Sequence, residues 1–166
     1  LSGAVAKPGI YEVEFGITLR QLIDLGGGMR SGSTMQAILL GGAAGGFVGP
    51  NDLDLPLTME ATRAAGSSLG SGVVMVLDQS VDMVDQLRRI AAFFRDESCG
   101  QCVPCRVGTV RQEEIVSRLA KGVQSQDIEL LRELGTVMRD ASICGLGQTA
   151  NSAIDSAINK LKVFAV

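Results

Sequence analysis

Four cysteines are the residues of this 166-residue chain whose type and spacing most clearly predict chemistry. Cys99, Cys102 and Cys105 follow a C-x2-C-x2-C pattern, and 38 residues separate the third of them from Cys144. Thiolates are soft ligands, and three closely spaced cysteines with a remote fourth are typical of [4Fe–4S] ligation. A cubane cluster takes one thiolate on each of its four irons. We therefore expect the first three cysteines to bind three corners and Cys144 to bind the fourth.

The cysteine segments both lie where a helix is predicted to begin, one from about Val107 and the other from about Gln148. Helix N-termini carry unpaired N–H groups and positive partial charge, which favour an anionic cluster and can donate hydrogen bonds to its sulfurs. The residues expected around the cluster, one of them a cation, are Gly100, Gln101, Arg106, Gly145 and Leu146.

Other uses of four cysteines compete with this interpretation. A four-cysteine zinc site usually presents two pairs of neighbouring cysteines, whereas the last cysteine here stands alone. Disulfides need an oxidising compartment, and we expect no signal peptide. A thioredoxin-like couple needs a βαβ context, and a radical enzyme needs a larger, barrel-type scaffold. The cluster is favoured, and a zinc-stapled structural or interaction module is the alternative.

Composition excludes several classes of function. The chain has no histidine, which rules out Ser-His-Asp and Cys-His catalysis, Rieske clusters and His-bearing zinc sites. Its net charge of −3 argues against nucleic-acid binding. No apolar stretch reaches the ~20 residues of a membrane-spanning helix, so no direct membrane span is expected. Gly145-x-Gly147-x-x-Ala150 has the letters of a dinucleotide-binding motif but follows no predicted strand.

The elements that must position the cysteines fall into two predicted domains, 1–78 and 79–166. Residues 1–80 hold 15 of the 21 glycines and predict a small α+β domain. Its predicted strands cover residues 2–6, 10–15, 37–40 and 73–77. Two helices are predicted in this domain. The first begins with the capping box Thr18-x-x-Gln21, has an apolar stripe that includes Leu25, and ends at the glycines 26–28. The second covers residues 58–65.

The second half predicts a four-helix bundle. Apolar residues recur at helical spacing in four segments, which start near Ser80, Val107, Asp127 and Thr149 and end near residues 94, 120, 138 and 164. The C-x2-C-x2-C segment lies between the first two of these helices, and Cys144 lies between the last two.

Two motifs carry a family resemblance. Residues 97–109 read ESCGQCVPCRVGT and residues 143–150 read ICGLGQTA. They resemble the iron–sulfur region of the flavin-carrying, NADH-oxidising subunit of respiratory complex I, and equally the diaphorase subunits of NAD(P)-linked hydrogenases and formate dehydrogenases. The first half, with KPGIYE at 7–12 and glycines at 26–28, 41–46 and 70–72, resembles the soluble-ligand-binding β-grasp (SLBB, ubiquitin-like) domain of the same family.

This resemblance implies an electron-transfer module. One [4Fe–4S] cluster on the four cysteines would accept single electrons from reduced FMN. FMN and NADH would bind in an upstream domain that has no counterpart in these residues, so no NADH dehydrogenase activity is expected from this stretch alone. The implied partners are that FMN- and NADH-binding domain and other iron–sulfur subunits of a complex. The implied location is cytoplasmic, or peripheral on the cytoplasmic face of the inner membrane.

Overall fold

The computed structural model describes residues 1–164 and divides the chain into two compact units, Leu1–Val81 and one that begins at Asp82. The last two residues of the predicted domain 79–166 lie outside the described residues. The first unit contains β1 (Ser2–Gly3), α1 (Leu19–Leu25), β2 (Met35–Leu40), β3 (Gly46–Val48), a short 3-10 helix (Pro50–Asp52), α2 (Met59–Ala64) and β4 (Val74–Asp78).

The strands of the first unit form one sheet in the order β1-β4-β2-β3. β1 pairs with β4 in parallel, and β2 pairs antiparallel with both β3 and β4. Apolar side chains from the sheet, from α1 and from the adjoining loops form the core of the unit, with members Val5, Leu19, Leu22, Ile23, Ile38, Leu40, Val48, Leu57, Val74 and Val76. The mixed α and β composition confirms the coarse fold class predicted from the sequence.

The capping box predicted at the start of α1 is present. Thr18 Oγ1 accepts a hydrogen bond from the Gln21 backbone N–H at 3.2 Å, and Gln21 Oε1 accepts one from the Thr18 N–H at 3.0 Å. These bonds satisfy two backbone donors that the helix end would otherwise leave unpaired. The helix ends at Gly26, as predicted, but Leu25 is exposed and does not belong to the apolar stripe.

The strand predicted over residues 10–15 is wrong. The structure has no strand there, and Ile10 is fully exposed. Gly9 and Leu1 exchange hydrogen bonds near 3 Å, while the Tyr11 hydroxyl turns back to donate to the carbonyl of Lys7 at 2.6 Å. An alternating pattern predicts which side chains share a face, but a strand also needs a neighbouring strand with which to form backbone hydrogen bonds. Because β1 has only two residues, it offers residues 10–15 no such partner.

One buried carboxylate joins the end of β4 to the loop before β2. Asp78 is only 3% exposed. It accepts hydrogen bonds from the hydroxyls of Ser33 at 2.6 Å and Ser80 at 2.5 Å, and Arg30 lies 3.4 Å away. The Ser33 hydroxyl first, and then the Ser80 hydroxyl, lower the pKa of Asp78 to about 2. The site therefore favours the ionised carboxylate.

This carboxylate predicts an acid sensitivity of the first unit. Because the folded pKa of Asp78 lies below the unfolded value of about 3.9, its stabilising effect is complete above pH 4 and is lost as the pH falls towards 2. We expect Asp78→Asn to lower the melting temperature of the chain by several degrees at pH 6 and to have little effect near pH 2. Asp24→Asn, on the exposed side of α1, is the matched control. An equal loss for Asp78→Asn at both pH values would contradict this account.

The second unit is helical. Its elements are α3 (Met83–Asp96), α4 (Val103–Leu119), α5 (Ser125–Ala141), α6 (Gly145–Thr149) and α7 (Ser152–Lys160). α3 begins at Asp82, whose carboxylate accepts hydrogen bonds from the backbone N–H groups of Val84 and Asp85. The predicted apolar spacing of α3 is confirmed, since Met83, Leu87, Ile90, Ala91 and Phe94 are buried. Within residues 1–164, no helix combines the length and apolar character needed to cross a bilayer.

The helix predicted over residues 149–164 is shorter in the structure, where α7 covers Ser152–Lys160, and a separate short helix, α6, ends before it at Thr149. The side chain of Asn151 lies against Gly135 of α5, where a Cβ atom would come within 2.1 Å of Asn151 Nδ2. The Asn151 carbonyl accepts the N–H of Asp155 at 2.8 Å and so starts α7. This packing contact is not visible in the apolar periodicity of the segment.

Candidate metal centre

Two of the four cysteines are helix N-caps. Cys102 precedes α4 with an extended backbone, and Pro104 lies in the first turn, where its missing N–H costs nothing. Cys144 precedes α6, also with an extended backbone. The prediction that both cysteine segments lie at helix starts is confirmed, although α4 begins four residues before Val107 and α6 three residues before Gln148. The positive end of α4 therefore lies at the cysteine loop.

The loop between α3 and α4 carries Cys99 at its exposed surface. Gly100 has a φ of +76°, a left-handed conformation that favours glycine. The Arg106 guanidinium reaches back from α4 and donates to the Gly100 carbonyl at 3.1 Å. Gln101 is exposed. Arg106 thus stabilises the turn between Cys99 and Cys102, and it is also the cation predicted from the sequence.

The segment before Cys144 lies beside Cys102, although the two are far apart in the sequence. The pKa of the Cys102 thiol is lowered, first by the backbone N–H of Ile143 and then by that of Cys105. Both N–H groups lie near the sulfur without forming a regular capping hydrogen bond to it. Such donors stabilise a thiolate over a thiol, which is the protonation state that metal ligation requires.

Cys105 is buried in the first turn of α4 and packs directly against α6. A Cβ atom placed on Gly147 would come within 2.9 Å of Cys105 Cβ and 2.6 Å of Ser142 Cβ. The Ser98 hydroxyl lies 3.3 Å from Cys105 Sγ. The absence of a side chain at Gly147 therefore lets the short helix that follows Cys144 approach the third cysteine.

Two side-chain amides and an ion pair hold this arrangement in place. Gln112 is fully buried on α4, and its side-chain amide donates to the Ala150 carbonyl at 3.0 Å, which ties α4 to the turn after α6. Gln148 donates to the Ser142 carbonyl at 3.0 Å. Arg95, near the end of α3, forms an ion pair with Glu113 of α4, beyond the cysteine loop. Sequence reasoning missed these residues, because polar side chains on helices are usually solvated.

The donor set fits an iron–sulfur cluster. All four cysteines are free thiols, and thiolates are the ligands that such clusters use. Among residues 1–164, no three His, Cys, Asp or Glu side chains are gathered closely enough to hold a single metal ion. A [4Fe–4S] cluster does not need its ligands gathered around one point, because its four ligands bind four separate irons. Of the other predicted neighbours, Gly145 is exposed and Leu146 is half-buried on α6.

Comparison with known families agrees with this chemistry. Residues 85–163 match the NADH-ubiquinone oxidoreductase-F iron-sulfur binding region, and residues 1–48 match the SLBB domain. The chain therefore contains an SLBB domain followed by this iron-sulfur binding region. The resemblance stated from the cysteine motifs is confirmed, and the assignment supports a [4Fe–4S] cluster over zinc.

Particular relatives come from two kinds of enzyme. The chain is 38% identical over 161 residues to the HndC subunit of the NADP-reducing hydrogenase of Solidesulfovibrio fructosivorans, covering 96% of this chain and 33% of that protein. It is 39% identical over 163 residues to a subunit of the NADH-quinone oxidoreductase of Mycobacterium bovis, covering 98% and 37%. A crystal structure of an NAD+-reducing [NiFe]-hydrogenase in the H2-reduced state matches with a TM-score of 0.84 at 33% identity, covering 98% of this chain and 27% of that one. The chain thus spans about a third of the length of these relatives.

Proposed function

We propose that this chain is an electron-transfer module that carries one [4Fe–4S] cluster on Cys99, Cys102, Cys105 and Cys144. The observation that carries the proposal is the close approach of two distant segments. The Ile143 N–H lies near the Cys102 sulfur, and Gly147 lies against Cys105, so the residues around Cys144 meet the C-x2-C-x2-C segment. When bound, the cluster supplies a site that accepts and releases one electron at a time.

The protein residues around this site favour a negatively charged cluster. The N-terminus of α4, the N–H groups near Cys102 and the Arg106 guanidinium all present positive partial or full charge. The burial of Cys105 excludes water on one side, while Cys99 and Cys144 remain exposed on the other. Because Cys99 and Cys144 are exposed, electrons can enter and leave the cluster at their side of the site.

We propose that the parent protein oxidises a nicotinamide cofactor. The relatives are named as NADH-quinone oxidoreductase and NADP-reducing hydrogenase subunits. In this proposal, reduced FMN bound in another domain donates single electrons to the cluster, and the cluster passes them to a further iron–sulfur subunit. The alternative is the same electron-transfer module in an NAD(P)-linked hydrogenase or formate dehydrogenase, where electrons would pass through the cluster towards the nicotinamide cofactor. The parent complex is proposed to lie in the cytoplasm or on the cytoplasmic face of the inner membrane.

Exposed apolar side chains next to the cysteines support a docking role for this side of the second unit. Ile143, next to Cys144, is 73% exposed, and Val103, next to Cys102, is also exposed, as are Val107 and Val110 on α4. Val103, Val107 and Val110 follow helical spacing on one face. We propose that this face contacts the flavin-carrying domain, because the cluster receives its electrons from that domain and electron transfer requires close approach.

The finer architecture is also a proposal. We propose that residues 1–78 form a β-grasp domain. The parallel pairing of β1 with β4, with α1 between β1 and β2 in the chain, supports it. We propose that residues 79–166 form a four-helix bundle of α3, α4, α5 and α7. The packing of α3 on α4, of α4 on α5, and of α7 on both α3 and α5 supports it.

Anaerobic purification tests the proposed function. We expect a brown protein with about four irons and four acid-labile sulfides per chain, and an electron paramagnetic resonance signal that appears on reduction. If the purified protein is colourless, anaerobic reconstitution with iron and sulfide is expected to restore both. Stoichiometric zinc with no iron uptake would instead establish the zinc-stapled interaction module.

A further inference from the structure

Ser142 carries a buried hydroxyl with no partner in the protein. The residue is 7% exposed, and its Oγ atom makes no hydrogen bond of ordinary geometry. An unpaired buried hydroxyl destabilises a protein, so most such groups in native proteins form a hydrogen bond. The position therefore indicates that this hydroxyl gains its hydrogen bond when the metal centre is assembled.

The surroundings of Ser142 leave little freedom for its side chain. Its N–H donates to the Met138 carbonyl at 3.1 Å, and its carbonyl accepts from the Gln148 side chain at 3.0 Å. Gly147 packs on its Cβ. A Cβ atom placed on Gly147 would lie 2.3 Å from the Ser142 hydroxyl and 2.9 Å from Cys105 Cβ, so the hydroxyl lies between α6 and the cysteine segment at the start of α4. It also contributes to the lowered pKa of the Cys102 thiol. The backbone N–H and carbonyl of Ser142 are thus both hydrogen-bonded, and the hydroxyl is the group of this residue that can donate to the metal centre.

We infer that Ser142 is a positioning residue that donates a hydrogen bond from its hydroxyl to the Cys102 sulfur when the cluster is bound, and that this bond raises the reduction potential. The inference rests on the proposed function, since it requires the cluster. Reduction adds one negative charge to the cluster, and a donor to a ligand sulfur stabilises that charge. The hydroxyl proton stays on its oxygen, so one electron is taken up and no proton is transferred.

A redox titration of the anaerobically purified full chain tests this inference. Ser142→Ala is expected to lower the equilibrium constant for reduction about tenfold, the effect of one hydrogen bond, which is 59 mV for a one-electron couple. The midpoint potential is measured on the molecules that carry the cluster, so incomplete incorporation of the cluster does not alter it. Ser142→Gly removes the same donor without adding bulk and gives the reading if Ser142→Ala folds poorly. Ser152→Ala, at an exposed serine that starts α7, is the matched control and is expected to keep the wild-type midpoint.

The outcomes separate the two proposals. A normal cluster in the wild type with an unchanged midpoint in both Ser142 variants would overturn the role of Ser142 and leave the electron-transfer proposal intact. A wild-type chain that takes up no iron would overturn the electron-transfer proposal itself. A lower midpoint in both Ser142 variants, together with loss of a hyperfine coupling to an exchangeable proton in the reduced cluster, supports the inference.

Discussion

Replacing Cys144 with serine is expected to abolish stable cluster binding and to destabilise the second unit. A serine oxygen is a poor substitute for a thiolate on iron, and the three remaining cysteines leave one corner of the cube without its ligand. Because binding to the folded state alone adds to stability, losing a tight cluster costs several kcal/mol. We expect iron content to fall below half of the wild-type value and the melting temperature of the second unit to fall by about 10 °C or more.

The neighbouring residue offers a control for this experiment. Ile143→Ser places the same side chain one residue earlier, at an exposed position, and leaves the Ile143 backbone N–H in place. Iron analysis and thermal denaturation of both variants, purified anaerobically, compare the two directly. Full iron content and an unchanged melting temperature in Cys144→Ser would show that this residue is not a ligand.

Adding a single methyl group at Gly147 is expected to have the second-largest effect. In Gly147→Ala the new Cβ would lie 2.3 Å from Ser142 Oγ, 2.6 Å from Ser142 Cβ and 2.9 Å from Cys105 Cβ. Alanine gains up to about 1 kcal/mol in helix propensity over glycine, but overpacking of this kind costs about 1–3 kcal/mol. We expect the clash to prevail, because these atoms belong to short side chains, and to lower both the melting temperature and the iron content.

Gly145→Ala is the matched control for this substitution. It lies two residues earlier in α6, and a Cβ there would meet no atom within 4 Å. Its melting temperature and iron content are expected to equal or slightly exceed those of the wild type, as measured by thermal denaturation and iron analysis. Equal behaviour of the two variants would show that α6 does not pack against Cys105 as described.

The identity of the metal centre could be predicted from the sequence because ligand chemistry and close spacing are local properties. The soft thiolates of Cys99, Cys102 and Cys105 lie within seven residues, and no histidine competes for a metal. The capping box of α1 and the buried stripe of α3 were predictable for a related reason. Hydrogen bonds between residues three apart and a 3.6-residue period both depend on neighbours in the chain.

The contacts that complete the site were decided by the tertiary structure. The strand expected over residues 10–15 does not form, because strand pairing requires an available edge that no local pattern encodes. The break between α6 and α7 depends on Asn151 meeting Gly135 of another helix. The approach of Ser142 and Gly147 to Cys102 and Cys105 joins segments about 40 residues apart, and the packing of α4, α5 and α6 determines that approach. The sequence by itself therefore determined which metal centre the chain can hold, whereas the neighbours that tune this centre follow from the way the helices pack.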